Sequence, residues 1–416
     1  MGRFAREEKI FFFVLLPVSL ALFLLVDFYL LNEGFYNKIN IAFDFDQAWF
    51  VEILSYPPDE WIYKTASDVN PLILKHLLLY LYRWPSELLQ FFGFSPEEAV
   101  IIVSVLFHMG TMTVGFYIFS DVFQSFAKAF LLCIFMLFSA TYLVNGIVVD
   151  SYVLAGFWIT CAFAIYQSDL KATMRLEVDW LKIIVYVMAV GTTTYLLLLV
   201  IVLEASLVLA KRHDFSVSHI TRYLLSGIVR FSLLFFLLFS ICYYQSLSEI
   251  VSDPVNVVQK TLWAVVRGGE KEGVTSILTT FLFYTFFAPS HTVVDIGNNA
   301  LMADFRPGEN VFVTYSVIAV LAAALVLLVK KPDPMLLVSF IWLGITIGFH
   351  LQYQDRGSIF LYTGHTMLPL MVIVACFFSN LSPVKYLIIA GLLTMVLMLN
   401  NVLEIYWAIN ATRGAW

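Results

Sequence analysis

Residues 10–31 read IFFFVLLPVSLALFLLVDFYLL, twenty-two residues with a single charged side chain, Asp27. A helix rises about 1.5 Å per residue, so this stretch is long enough to cross a hydrocarbon layer of roughly 30 Å. Whether it is a membrane span or the core helix of a soluble domain is decided by the rest of the chain. Of 416 residues, 61% are hydrophobic and 13% charged, with mean hydropathy +0.86. Soluble domains carry about a quarter charged residues, and apolar runs of similar length recur to the C-terminus, so the fold class is an all-α polytopic membrane protein. The net charge of −6 is dispersed with no basic stripe, which excludes nucleic acid as a partner. Cys133, Cys161, Cys242 and Cys376 all lie in apolar runs, with the spacing of neither a disulfide framework nor a CxxC metal site. MGRFAREEK before the first run has the positive flank of a signal sequence but no small-residue cleavage site, so an uncleaved anchor is expected.

Arg3, Arg6 and Lys9 precede the first run, and the positive-inside rule puts them in the cytoplasm. Residues 32–96 then form a first outer loop. Within it, NPLILKHLLLYLYRWPSELLQFFGF does not qualify as a span: each charged residue at mid-membrane costs about 2.5–3.5 kcal/mol, and Lys75, Arg83 and Glu87 share one stripe of a helix otherwise covered by leucine. A helix over about 71–92, lying in the interface, with Asn70 as cap and Pro71 in its first turn, satisfies both. Spans then follow at about 97–119, 127–144, 147–166, 181–195, 196–210, 222–245, 311–329, 335–351, 359–378 and 384–403. With the first, this makes about 11 transmembrane helices. A large outer loop covers about 246–310, with a second interfacial segment at 274–290. Lys128, Lys171, Lys182, Lys211, Arg212, Lys330 and Lys385 fall on the cytoplasmic side. No repeat or soluble domain is evident, so residues 1–416 are expected to form a single unit.

Four places carry polar chemistry, all on the outer side of this arrangement. The first is AFDFDQAWFVEI at 42–53. In an extended segment residues i and i+2 point the same way, so Asp44 and Asp46 can face one site and supply a general base, a divalent cation site (Mg or Mn), or both. Alternatively, Asp46 caps a helix beginning at Gln47 and Asp44 is solvated. The second is NGIVVDSYVLAG, where Asp150 and Tyr152 open a span, with Asp150 either a substrate contact or a helix cap. The third is QYQDRGSIFLYTGHTMLP. Arg356 at the interface suits a phosphate, or anchors the chain and pairs with Asp355; His365, two turns into apolar sequence, is a functional candidate or a hydrogen-bonded core histidine. The fourth is SHTVVDIGNNALMADFRPGEN, with His291, Asp295, Asp304 and Arg306, polar enough to order as a lid. Lys75 and His76 of the first loop and His291 complete the candidate substrate contacts. Nucleophile elbows, glycine-rich phosphate loops and zinc motifs are absent from the sequence.

In order and spacing these stretches resemble the GT-C class of polyprenyl-phosphate-sugar-dependent membrane glycosyltransferases. DFDQAWFVEI is similar to the Asp-x-Asp motif of the first outer loop in GPI and dolichol-linked mannosyltransferases. ASDVNPLILKHLLLYL resembles the His-Pro-Leu segment of bacterial members, with Asn70 standing where they have histidine. VVDSYVLAGFWI resembles the segment that opens their fourth span. The resemblance implies a GT-C-like helical bundle and transfer of a sugar from a polyprenyl phosphate (undecaprenyl or dolichyl) to a lipid-linked or glycan acceptor. Under it Asp44, with Asp46 beside it, is the base that deprotonates the acceptor, with inversion at the anomeric carbon. Arg356, with His365, binds the phosphate of the leaving group. A monomer acting on the outer face of a bacterial plasma membrane or an endoplasmic reticulum membrane follows, with membrane lipid as its surroundings. The competing expectation is a polytopic transporter or flippase for a lipid-linked or small polar solute.

Overall fold

The computed structural model describes residues 6–37, 43, 47–55, 79–172, 176–242, 255, 273–295, 301–305, 322, 325–326, 328–329, 333–352 and 359–413. Among these the chain is almost wholly helical. Long apolar helices are α1 (Arg6–Asn32), α4 (Pro96–Phe123), α7 (Ser151–Lys171), α9 (Leu197–Lys211), α10 (Val217–Cys242) and α14 (Pro383–Ala411). Between them lie the shorter α2 (Gln47–Ser55), α3 (Arg83–Phe91), α5 (Phe126–Leu137), α6 (Ala140–Gly146), α8 (Trp180–Thr192), α11 (Val274–Tyr284), α12 (Pro334–His350) and α13 (Met367–Ser379). Six helices are long and apolar enough to cross a membrane, or up to eight if the bent pairs α5–α6 and Ile359–His365 with α13 each count as one span. Exposed leucine, valine and phenylalanine on α1, α10 and α14 face outward, as lipid contact requires. These features fit an integral membrane protein.

α4 is the central post, packed by α1, α2, α3, α5, α7 and α13. It begins at a full capping box, in which Ser95 accepts from the Glu98 N–H and Glu98 accepts in return from the Ser95 N–H, with Pro96 in the first turn. Side-chain bonds show which helix ends share a side. Phe11 stacks on Phe116 at 4.2 Å, Lys171 pairs with Asp121 at 2.5 Å, and Lys182 pairs with Asp169 at 2.8 Å. Lys128 donates to the Leu381 carbonyl, and Lys211 to that of Ala172. Among the described residues, Lys128, Lys171, Lys182, Lys211 and Lys385, which the charge rule groups on one side, thus cluster at one end of the bundle, the Arg6 end. Glu33, Tyr36, Ile147, Thr192, His350 and Arg413 mark the opposite, Asn32 end.

The structure departs from the sequence reading at particular elements. The stretch 127–144 is broken, α5 and α6 meeting at 68°. Ser139 caps α6, and the Phe138 carbonyl freed by the break accepts from Asn401 Nδ2 at 2.7 Å. The same Asn401 amide donates to the Phe286 carbonyl, and its oxygen accepts from the Ala288 N–H. Non-helical backbone at membrane depth survives only with such partners. Within the segment at 274–290, α11 packs against α12 and the turn Ile359–His365, with Ile277 and Phe281 wholly inaccessible. The span expected from residue 147 starts at Ser151, because Asp150 takes the cap position. Near α2, α3 follows a 3-10 turn, Leu79–Tyr82. Tyr82 shares a hydrogen bond with Thr192 and accepts one from Trp158, and burial pushes its phenol well above the ordinary tyrosine range. Arg83 and Glu87 pair at 2.8 Å on the stripe the sequence assigns them, while Trp84, Leu88, Phe91 and Phe92 are exposed. The two strands β1 (Thr292–Asp295) and β2 (Leu301–Asp304) pair antiparallel, Thr292 opposite Asp304 and Asp295 opposite Leu301.

One glycine is required by close approach. A Cβ on Gly146 would lie 2.1 Å from one Phe23 ring carbon and within 2.6 Å of two more. The ring is held by His108 at 5.1 Å and cannot swing away freely. Gly146→Ala is expected to destabilise the fold by about 3 kcal/mol, the upper part of the usual overpacking range. An SDS or denaturant titration checks it; a loss under about 0.5 kcal/mol would mean that α6 shifts without cost.

Candidate functional site

At the Asn32 end, five rings that carry polar atoms lie against one another, four of them buried and Tyr195 half-buried. Tyr152, in the first turn of α7, lies 5.2 Å from His365 and 5.5 Å from Tyr362. Tyr195, just before α9, lies 5.7 Å from His365. His350, the last residue of α12, stacks on Tyr362 at 4.1 Å. Each is positioned by its element. The Asp150 carboxylate accepts from the Tyr152 N–H at 3.3 Å and from the Ser151 hydroxyl at 3.1 Å, fixing the start of α7. Trp342 Nε1 donates to the His365 carbonyl at 3.0 Å, and Thr141 donates to Thr363 at 2.7 Å, holding the 3-10 turn Ile359–His365 between α6, α7 and α12. The Tyr195 hydroxyl donates to Thr346 at 2.8 Å.

A second group abuts that turn. Phe43 is fully buried and has φ +54°, a region costly for a residue with a Cβ. Its N–H donates to the Ala303 carbonyl of β2 at 2.7 Å, and its ring lies 4.5 Å from Phe305 and 5.4 Å from Phe360. Within the segment expected to act as a lid, β1 and β2 thus pair antiparallel and β2 holds Phe43 through its backbone. Strained backbone held by this much packing is characteristic of positions where chain direction matters.

Of the sequence candidates, Tyr152 and His365 are brought into contact and Asp150 caps the helix carrying Tyr152. His291 stands apart from them, its ring nitrogen 3.5 Å from Glu404 of α14. Asp44, Asp46, Lys75, His76 and Arg356 lie outside the described residues, as do Arg306 and Asp355. Sequence reasoning missed His350, Tyr195 and Tyr362. A signal was there for His350, a histidine closing an apolar run just before the loop that carries Arg356, as His365 lies just after it. Also missed was Asp27, buried in α1 beside Tyr36, whose phenol burial and that carboxylate push up; the Tyr36 hydroxyl donates to the Ile147 carbonyl at 2.9 Å.

Charge also gathers at the Arg6 end, where the sequence reading placed only short connections. Lys182, buried in α8, contacts Asp169 at 2.8 Å, Glu204 at 2.5 Å and the Tyr223 hydroxyl at 2.7 Å. Tyr186 and Tyr223 donate to the two oxygens of Glu204. An apolar groove of about 480 Å³ between α8, α9 and α10 lies against this network. A separate cavity of about 710 Å³ is bordered by Asp121, Lys171, Lys211, Asp214 and Asp333. Among the described residues no three His, Cys, Asp or Glu side chains gather as metal ligands.

No protein-family model matches the chain, and it has no significant match among curated proteins. The functional reading therefore rests on the residues and their geometry.

Proposed function

We propose that the chain is a membrane glycosyltransferase that takes its sugar from a polyprenyl-phosphate donor, with its site at the Asn32 end of a GT-C-like bundle. The observation that carries the reading is the contact of Phe43 with Phe360. Phe43 immediately precedes Asp44, and Phe360 follows Arg356 by four residues, so the chain segments bearing the candidate base and the candidate phosphate ligand start from one buried patch. The Tyr152–His365 contact joins the Asp150 segment to the same turn. In this reading Asp44 removes the acceptor hydroxyl proton as that oxygen attacks the anomeric carbon. The bond to the donor phosphate breaks with inversion, and the polyprenyl phosphate departs with its charge stabilised by Arg356. On this reading the acids belong at the membrane surface, where the lipid tail would fix the reacting bond. The exposed apolar ridge of α3, Trp84, Leu88 and Phe91, supports an interfacial position for that helix.

The test is transfer of radiolabel from a panel of polyprenyl-phosphate sugars to a lipid extract by purified protein; no transfer from any donor would remove the proposal. Arg356→Lys is expected to lose most activity although the charge is kept, because a lysine cannot make the two-pronged contact of guanidinium with phosphate. A fall in kcat marks transition-state stabilisation, and a rise in KM alone marks uniform binding. Wild-type kinetics in Arg356→Ala would take Arg356 out of the mechanism.

A second reading, a carrier for a lipid-linked or small polar solute, is favoured by two observations. Two apolar stretches are broken at 68° and 60°, and Lys182 with Glu204 sits within apolar helices. Uptake into proteoliposomes without label transfer would establish it over the enzyme.

A further inference from the structure

Between α1 and α14 runs an apolar groove of about 460 Å³, floored by Leu137 and Ile147 where the α5–α6 bend opens the bundle surface. It follows α1 from Ser19 to Leu30 and α14 from Val402 to Asn410, ending at Arg413 just past that helix. Eleven helical steps are about 16 Å, close to half of the roughly 30 Å hydrocarbon thickness. The groove therefore has the length of one leaflet.

At the Asn32 end its mouth is charged but paired. Arg413 donates to Glu33, and both side chains remain partly exposed. The hydrogen bond that Arg413 gives to the Glu33 carboxylate, and that carboxylate's charge, push the guanidinium further up from its ordinary value. A guanidinium has five N–H donors, so several stay available beyond those given to Glu33 and Tyr29. The mouth thus presents a cation and an anion side by side with no net charge. A simple anion would meet repulsion from Glu33. A zwitterion carrying phosphate and a primary ammonium meets both charges favourably, whereas a choline headgroup has no N–H to give the carboxylate.

We propose that this groove holds one phosphatidylethanolamine-type phospholipid, an acyl chain lying along α1 and α14 with its phosphate on Arg413 and its ammonium on Glu33. The lipid fills the seam between the first and last long helices and joins their Asn32 ends through its headgroup.

The test offers purified protein in detergent equal mole fractions of palmitoyl-oleoyl phosphatidylethanolamine, phosphatidylcholine and phosphatidylglycerol, with undecaprenyl phosphate as competitor. Native mass spectrometry counts the lipid retained. One phosphatidylethanolamine is expected, preferred about tenfold over the other two, the factor set by one charge-assisted hydrogen bond. Glu33→Gln should collapse the preference over phosphatidylcholine while keeping retention through Arg413. Val402→Trp or Leu22→Trp, on opposite walls and away from the ion pair, should abolish retention. Equal retention of all three phospholipids by the wild type overturns the proposal, as does full retention in both tryptophan variants. Displacement by undecaprenyl phosphate at equal mole fraction also overturns it, assigning the groove to a sugar-donor lipid. The readout is binding, so it stands or falls apart from the transferase reading.

Discussion

Asp44→Asn is expected to lower kcat for sugar transfer by at least about a hundredfold while donor binding persists. The amide keeps the size and hydrogen-bonding shape of the carboxylate but cannot accept the acceptor's proton, and general-base catalysis contributes about 10²–10⁴-fold. Binding should persist because the lipid tail and the phosphate contact lie elsewhere. Asp46→Asn should be milder if its carboxylate only orients the acceptor or raises the pKa of its neighbour by like-charge proximity. If the pair instead holds a divalent cation, both variants fall together and EDTA abolishes wild-type transfer. The structure sharpens the choice of controls. Phe43 is anchored by β2 and by Phe360, so Phe43→Ala should disturb the direction of the chain into Asp44 and lower kcat without touching the chemistry. Full activity in Asp44→Asn, Asp46→Asn and the double variant would leave the DFD segment as a solvated helix cap.

What was legible in the sequence was what local pattern controls. Asp150 before Ser-Tyr-Val caps α7, as an acid ahead of an apolar run can. Arg83 and Glu87, one turn apart, pair on the polar stripe of α3. The sorting of lysines between loops matched the clustering of helix ends, because charge excludes the same residues from apolar depth in both views. What was not legible depends on partners far along the chain. The break after Leu137 is stabilised by Asn401, whose amide reaches the Phe138 and Phe286 carbonyls; apolar content alone reads 127–144 as continuous. The packing of α11 likewise depends on α12 and the 3-10 turn, distant partners that hydropathy alone does not reveal. In the candidate site, His365 was visible as a histidine out of place in apolar sequence. Its neighbours Tyr152 and Tyr195 come from helices more than 150 residues away, and tyrosine in an apolar run attracts no notice. Glu204 passed unremarked within 196–210 because one acid does not spoil a span whose partner, Lys182, lies on the preceding helix.

That pair gives the largest expected effect on stability. Lys182→Met should cost about 3–4 kcal/mol, in the lower part of the range for a broken buried pair, since Glu204 keeps its two tyrosine bonds but loses its counter-charge while Asp169 is partly exposed. An ammonium has three donors, and Lys182 has three acceptors, on α7, α9 and α10. A fully used cation joining four helices is a clamp, not a group poised to exchange ligands. The compensated variant tests this. Lys182→Met with Asp169→Leu and Glu204→Leu removes all three charges and should recover most of the loss, as apolar replacement of whole buried ion clusters often does. The measurement is an SDS or denaturant titration of each variant beside the wild type. A single variant within about 0.5 kcal/mol of wild type would show that the carboxylates reach water or take up protons, and the clamp would be discarded. The same triple variant separates the two functional readings. A glycosyltransferase with its chemistry at the Asn32 end should keep its kcat once the helices are again held together. A carrier that moves solute past Lys182 and Glu204 should lose uptake even when the fold is restored.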